Sequence, residues 1–577
     1  MCGLFGAIHT PDTPIDLGRA RKARDTLTHR GPDQAGEWHD NVGVYIGHRR
    51  LSVIDTSTAA TQPMIDGQVN ITVNGEIYNY KILRDELTKS GCTFRSDSDS
   101  EVVLHGYRHW GLHQLLERLE GMYAVVIYDG DKQCVHAFRD RLGIKPLYYY
   151  NHDHTLVWAS ELKAIRAYLP QQALSLDMEA LVDFLTYRYI PAPKSVYRHV
   201  YKVPAACVLT YNLRDHSAKT EAYWKLHDDE LDHSDQTLQT LVLEKLQESV
   251  VSQLCSDVPL GLLLSGGLDS AAIARFAGEE TPGIQGFTMG FSDADRDESP
   301  IANDMAAAVG ITHHTDQFAT DDMSEVAKKM QVFFDEPFSD TSAFPTHQVC
   351  AFARQNVTVA LSGDGGDELF GGYNWYKRYQ TYSSRLGRRN WRPARGFLPP
   401  KFVPARDHLF IGTIGDPLWL YAVIRGSLSP KKLSHWKHHL GVDQTYDELW
   451  AYRSAWRPHL TPRKAAQVLD LHTYLPDDIL TKVDRVSMLH SLECRPALLS
   501  TNMVETAFLL PERFVYSNNE LKGGLRKTLR DHLPSSVLAA TKQGFSVPDT
   551  GWRTELIEKS GSVQEALLTP YLEGTAY

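Results

Sequence analysis

Residues 259–280, PLGLLLSGGLDSAAIARFAGEE, run from an apolar stretch through a glycine turn into a helix-forming segment. A buried strand, a tight turn and a helix in that order form the repeating unit of a parallel sheet covered by helices, so the unit excludes most all-α and all-β folds for this part of the chain. Leu238, Leu241, Leu246, Val250 and Leu254 precede it at helical spacing. Further strands are expected at 284–291 (IQGFTMGF) and 357–362 (VTVALS), each leading into a loop rich in Gly, Asp or Ser. Open α/β sheets bind their ligands at such carboxyl ends. From about 375 onward the pattern is mostly helical with proline-rich joints, among them FLPPKFVP at 397–404.

The first 220 residues read differently. VGVYIGHRRLSVID at 42–55, VNITVNGEIYNY at 69–80, MYAVVIYDG at 122–130, CVHAFRD at 134–140 and LVWASE at 156–161 are β-rich runs between Gly, Asn and Asp turns. They predict stacked sheets with few helices, two of them around 81–90 and 101–119. Residues 211–236 are polar and acidic and read as a linker, which divides the chain into domains at 2–210 and 237–577. With 577 residues, 42% of them hydrophobic, each part is long enough to bury its own core.

The net charge of −11 argues against a general nucleic-acid binder. Seven cysteines without a CxxC pair suggest neither a disulfide framework nor a zinc site, and point to a reducing compartment. No run approaches 18 apolar residues and the opening MCGLFGAIHTPD has no charged leader, so the expectation is a soluble cytoplasmic protein without membrane contact.

Two places carry chemistry. Cys2 directly follows Met1, and removal of Met1 would give it a free α-amino group, a general base beside a strong nucleophile. Position alone is equally compatible with an inert buried thiol. In SGGLDS at 265–270, Ser265, Gly266, Gly267 and Ser270 offer amides and hydroxyls at a helix N-terminus, a cradle for pyrophosphate, and Asp269 is an acid suited to hold Mg²⁺ there. There is no GxxxxGKS, so this is not a Walker A loop. The second loop, LSGDGGDELFGGY at 361–373, sets Asp364, Asp367 and Glu368 among glycines; taken alone, it could be a solvated turn.

CGLFG at 2–6, HRGPD at 29–33, GHRRLSVID at 47–55, NGEIYN at 74–79, SDSE at 98–101 and RDRLGIKPLYY at 139–149 together resemble the class II, N-terminal-nucleophile glutamine amidotransferases. SGGLDS resembles the PP-loop of the ATP pyrophosphatases. In this order, over nearly the whole chain, the two resemble the glutamine-hydrolysing asparagine synthetase family. The resemblance implies an α+β N-terminal domain, a sandwich of two antiparallel sheets between helices, followed by an α/β parallel-sheet domain with a helical C-terminal portion. It implies Cys2 as nucleophile, Asn74 and the Gly75 N–H as oxyanion donors, and Arg50, Asn74, Glu76 and Asp99 around glutamine. It further implies Leu264, Ser265, Gly266, Gly267, Asp269, Ser270, Met289, Ser362 and Gly363 around ATP, and Asp269 with Asp367 at Mg²⁺. Lys522, in LKGGLRKTL at 521–529, falls where the family has a lysine that stabilises charge on the transferring phosphates; it could equally be a surface lysine. RDRLGIKPLYY is assigned to the fold and the domain contact.

The implied cycle adenylates a carboxylate, L-aspartate in the first instance, while ammonia released from glutamine passes through an internal channel to attack the acyl-adenylate. Glutamine, ATP and the acceptor are the partners implied, with no tightly bound organic cofactor, and a homodimer suits the family. Three features leave the acceptor open. GDGGDE replaces the GEGSDE of the best-known members, a variant also found in relatives that amidate sugar acids or cell-wall peptides. SLECRPALLS at 491–500 has Ala497 and Ser500 where Phe and Asp are usual. Finally, 377–406 holds nine Lys and Arg (Lys377, Arg378, Arg385, Arg388, Arg389, Arg392, Arg395, Lys401 and Arg406) and no acid: either a solvated basic face or a seat for a phosphorylated acceptor. A non-catalytic scaffold and a β-lactam-forming enzyme share the architecture, and the intact Cys2, Asn74, Asp99, SGGLDS and Asp367 disfavour both.

Overall fold

The computed structural model describes residues 1–10, 13–40, 42–293, 297–318, 333–384, 414–540 and 562–574. Two six-stranded antiparallel sheets make up the N-terminal half. In the first, Cys2–Ile8 lies between Val44–Arg50 and Thr155–Ala159, with Gln34–His39, Tyr148–His152 and Val200–Lys202 further out. In the second, Gly121–Asp129 and Cys134–Arg139 are central, with Val69–Ile77 and then Met64–Asp66 on one side and Cys207–Asn212 and then Ala218–Ala222 on the other.

Strand periodicity explains the layering. Leu4 and Ile8 point into the space between the sheets and pack with Ile46, Ala124, Val126 and Leu209. Phe5 and Ala7, on the opposite face, pack under Ala20, Ala23, Ile165 and Leu181 of the covering helices. The second sheet does the same outward: Ile71, Val73, Val125 and Ile127 meet Leu83 and Leu87 of helix Tyr80–Lys89 and Val102 and Val103 of helix Glu101–Arg118. Each such side chain taken from water contributes on the order of 1.5–3 kcal/mol, which is why both faces of both sheets read as hydrophobic. The expected sandwich between helices is the observed fold.

The expected linker 211–236 needs correction. Its first half is structured: Ala218–Ala222 pairs with Cys207–Asn212 and forms the sheet edge, and its last residues open the helix Asp235–Ser252. All five residues of that strand are exposed, so their polarity disguises it.

The C-terminal half holds a five-stranded parallel sheet ordered Thr312–Gln317, Gln285–Gly290, Leu260–Leu263, Val359–Ser362, Glu493–Pro496. The last strand lies in a stretch read as helical. It consists of Glu493, Cys494, Arg495 and Pro496, all buried, and no hydrophobic pattern announces it. Its pairing with Val359–Ser362 and the Arg495 Nε to Glu493 Oε1 bond of 2.7 Å hold its charges in the interior. The proline-rich joints work as helix starts: Pro417, Pro430 and Pro462 occupy first-turn positions behind the caps Asp416, Ser429 and Thr461. The joint at 397–404 and the basic positions 385–406 lie outside the described residues.

The two halves meet across buried ion pairs. Arg30 of HRGPD bonds Asp484 at 2.8 and 3.0 Å and Glu161 at 2.9 Å, and Arg485 lies 3.5 Å from the same Glu161 while bonding Asp335 of its own half at 2.7 Å. In RDRLGIKPLYY, Asp140 gathers the amides of Leu142, Ile144 and Lys145, and this places Lys145 at 3.6 Å from Asp484. That motif serves both fold and domain contact.

Candidate active site

Cys2 opens its strand opposite Arg50. Its amide N–H donates to Asn74 Oδ1 at 2.9 Å, and Arg30 Nε donates to its carbonyl at 3.0 Å. Asn74 Nδ2 is buried without a hydrogen-bond partner. A buried amide donor beside a thiol is an available oxyanion donor. Gly75 follows because nothing larger fits: a Cβ there would lie 1.9 Å from the Met122 carbonyl oxygen, at φ +147. Burial pushes the Cys2 thiol up, against the pull of the terminal ammonium and Arg50.

Arg50 is held by carbonyl oxygens of Ser57 (3.1 Å), Ile54 (3.0 Å) and Asp55 (2.5 Å) and by Gln34 Oε1 (3.1 Å). These bonds fix its fork. Asp99 accepts from the Ile77 amide at 2.8 Å. The Glu76 carboxylate faces the other domain, 3.9 Å from Arg495 Nη2. Sequence reasoning set Glu76 beside glutamine and missed this contact.

Glu101, in the SDSE motif, shapes the loop that presents Asp99. It accepts from the Arg95 and Ser96 amides at 2.9 Å each and from Ser96 Oγ at 2.7 Å. Although burial opposes it, His105 and these donors hold the carboxyl down at about 2. A depressed carboxyl contributes stability above its unfolded pKa and loses it as pH falls toward 2. Glu101→Gln should therefore cost about 2 kcal/mol at pH 7, with the difference from wild type closing between about pH 4.5 and 2, as read by denaturant unfolding at each pH.

At the second place, one cleft of about 850 Å³ is lined by Leu264, Ser265, Gly266, Gly267, Asp269, Ser270, Met289, Ser362, Gly363, Asp367 and Lys522. It opens at the carboxyl ends of the strands Leu260–Leu263 and Val359–Ser362. Ser265 Oγ lies 2.9 Å from Ser270 Oγ and accepts from the Gly267 amide at 3.2 Å, which fixes the turn. The two loops touch where a glycine permits, since a Cβ on Gly366 would meet Asp269 Oδ1 at 2.6 Å; within the second loop, one on Gly372 would meet Asp367 Oδ1 at 2.0 Å. The Lys522 ammonium bridges the two acids, bonded to Asp269 and 2.5 Å from Asp367 Oδ1. Lys522 has a left-handed backbone, φ 53. A strained residue aiming its side chain into a cleft is not a surface lysine.

An asparagine synthase family model matches residues 241–569, and a glutamine amidotransferase domain model matches residues 1–224. Asparagine synthetase [glutamine-hydrolyzing] 1 of Bacillus subtilis is 32% identical, over 96% of this chain and 88% of its own length. A putative asparagine synthetase of Mycobacterium tuberculosis is 31% identical over the same shares. An amidase of Gibberella zeae is 31% identical over 65% of this chain and 60% of its own length. The chain belongs to the asparagine synthetase family. It is therefore an ATP-dependent ligase that performs glutamine-dependent amidation.

Within that family, the sequence departures separate. Ser500 caps the helix Thr501–Leu509 through the Met503 amide, the service an Asp gives there, and Ala497 is fully buried with its carbonyl bonded by Ser249 Oγ at 2.7 Å. Neither lines the cleft. Asp364 does line it, and accepts from Ser362 Oγ at 2.7 Å. Further back are residues the sequence did not single out: Lys482, which donates to Ser342 Oγ at 2.9 Å, lies 3.5 Å from Asp340. Their signal in the sequence is absent, because Lys482 and Asp340 are 142 positions apart and meet only in the fold. Among the described residues, no helix is long and apolar enough to cross a membrane.

Proposed function

We propose that the protein is a glutamine-dependent asparagine synthetase acting on L-aspartate, with Cys2 as the glutaminase nucleophile. The observation that carries the reading is the convergence of Asp269 and Asp367, one from each loop, on Lys522 in one cleft, in the same chain as a cysteine whose amide bonds an oxyanion-type asparagine. Once Met1 is removed, the Cys2 amine can take the thiol proton and the thiolate attacks the glutamine amide. Asn74 Nδ2 and the Gly75 N–H then receive the oxyanion, and hydrolysis of the thioester returns glutamate.

In the cleft, Leu264 and Met289 supply an apolar seat for a purine, and the turn 265–267 at the start of the helix Leu268–Glu280 lines the place where phosphates would lie. The acids Asp269 and Asp367 fit a magnesium ion, which takes one or two carboxylates and completes its shell with phosphate oxygens and water. Bound there with ATP, it would offset charge on the phosphates. Lys522 already carries the positive charge of this place and supplies it to the leaving pyrophosphate as the carboxylate attacks the α-phosphorus. Lys482, Asp340 and Asp364 offer opposite charges within the cleft, as an amino-acid zwitterion requires.

A second reading, amidation of a sugar acid or peptide carboxylate, rests on Asp364 in the cleft, one methylene shorter than the Glu of the best-known members. The two are separated by pyrophosphate release with MgATP and glutamine. L-aspartate should be required, with asparagine and AMP formed in equal amounts. Glutamine hydrolysis without aspartate-dependent AMP would reject aspartate and favour the second reading.

A further inference from the structure

Residues 333–342 belong to the synthetase half, run along the glutaminase half and end in the cleft. Residues of the glutaminase half hold this segment along its length. The Lys163 ammonium donates to the Phe333 carbonyl at 3.3 Å, and the Lys163 amide to Asp335 Oδ2 at 3.2 Å. Lys202 pairs with Glu336 at 2.7 Å, and Tyr148 Oη donates to the same carboxylate at 3.5 Å. Arg188 holds the residue just before the cleft: its Nη2 donates to the Ser339 carbonyl at 2.5 Å, and its own carbonyl accepts from the Ser339 amide at 3.0 Å.

The next residue, Asp340, lines the cleft with Ser342 and Lys482. Its carboxylate accepts from the Ser342 amide at 2.9 Å and from Ser342 Oγ at 2.7 Å, and lies 3.5 Å from Lys482. Against burial, Lys482, the Ser342 donors and the Arg188 guanidinium hold that carboxyl below the usual carboxylate range, so it stays ionised. Arg188 therefore reaches Asp340 twice, through the backbone of Ser339 and through its charge.

Arg188 is also out of place by backbone rules. It ends the helix Met178–Tyr187 with a left-handed backbone, φ 78, where glycine is the residue of least strain. A long cation kept in such a conformation acts through its side chain, and that side chain reaches Ser339. We infer that Arg188 is a positioning residue for the acceptor: from the glutaminase half it sets Asp340 where Asp340 receives the α-ammonium of an amino-acid acceptor. The inference rests on the proposed amino-acid acceptor. Such an acceptor carries an ammonium and a carboxylate on one carbon, and Asp340 beside Lys482 offers adjacent charges of the opposite signs.

R188G tests this, because glycine suits the left-handed backbone and keeps the carbonyl that the Ser339 amide uses, so that only the side chain is lost. With MgATP and ammonium chloride, and AMP as the readout, the KM for L-aspartate should rise about tenfold while the KM for ATP and the rate of glutamine hydrolysis stay unchanged. A residue that only supported the fold would move all three together. An unchanged aspartate KM in folded R188G, or equal rises in the KM for aspartate and for ATP, overturns the inference and leaves the aspartate reading standing. No aspartate-dependent AMP from the wild-type protein rejects the aspartate reading and the inference with it. If R188G does not fold, a crystal structure of the wild-type protein with L-aspartate decides: its α-ammonium is expected on Asp340, and an ammonium bound elsewhere overturns the inference.

Discussion

Cys2→Ala is expected to lower glutamine-dependent amidation by at least ~10³-fold while amidation from free ammonium proceeds at close to the wild-type rate. The loss is large because no other nucleophile among the described residues stands against Asn74. The remaining oxyanion donors accelerate an attack only once there is something to attack with. The retained activity follows from construction: ATP and acceptor chemistry are housed in the cleft at the ends of Leu260–Leu263 and Val359–Ser362, none of whose lining residues comes from the glutaminase half. Alanine is smaller than cysteine and Cys2 is buried, so the change leaves a small cavity and no clash. Rates with glutamine and with ammonium chloride, in the same preparation, measure both halves of the expectation. Equal loss with both nitrogen sources would mean that Cys2 supports the fold and does not perform the hydrolysis.

Lys522→Met should produce the reverse pattern. Pyrophosphate release is expected to fall by about 10²–10³-fold, and glutamine hydrolysis to persist, because an electrostatic donor to a developing phosphate charge contributes on that scale. A stability effect accompanies it. Lys522 neutralises Asp269 and Asp367, and burial opposed by these two acids leaves its ammonium more strongly protonated than an ordinary lysine. Removing it leaves two carboxylates facing one cleft without their shared cation, at a cost of about 3–5 kcal/mol. Magnesium should recover part of that loss in Lys522→Met and recover much less in a further Asp269→Asn, Asp367→Asn variant. Thermal unfolding with and without magnesium reads this independently of catalysis. No magnesium effect on the Lys522→Met protein would contradict the assignment of the two acids.

The loops that line the cleft were readable from the sequence as contiguous motifs. SGGLDS and LSGDGGDELFGGY are short, turn-forming and glycine-rich, so their local geometry is dictated within a few residues, and the fold only has to bring two such loops together. The layers were also readable, since Cys2–Ile8 is apolar on both faces and Val69–Ile77 alternates Val69, Ile71, Val73 and Ile77 with polar residues. Elements that owe their form to distant partners were not. Glu493–Pro496 has the composition of a loop and becomes a strand only because the edge of Val359–Ser362 and the charges around Met1 receive it. Ala218–Ala222 is polar because it is an exposed edge, and polarity resembled a linker. The Arg30, Glu161 and Asp484 cluster joins residues more than 450 positions apart, so no spacing rule can reveal it. Glu76 shows the same limit in one side chain: its motif placed it correctly beside Gly75, while the direction of its carboxylate depends on Arg495.

The central claim is that this one chain moves nitrogen from glutamine at Cys2 to a carboxylate activated in the cleft. Supplying glutamine labelled with nitrogen-15 at the amide, together with MgATP, L-aspartate and a large excess of unlabelled ammonium, tests it directly in Met1-processed protein. The account predicts asparagine carrying mostly the label, formed one for one with AMP. Asparagine carrying the isotope ratio of the bulk ammonium would contradict it, since nitrogen would then reach the cleft through solvent and the two sites would act as separate enzymes.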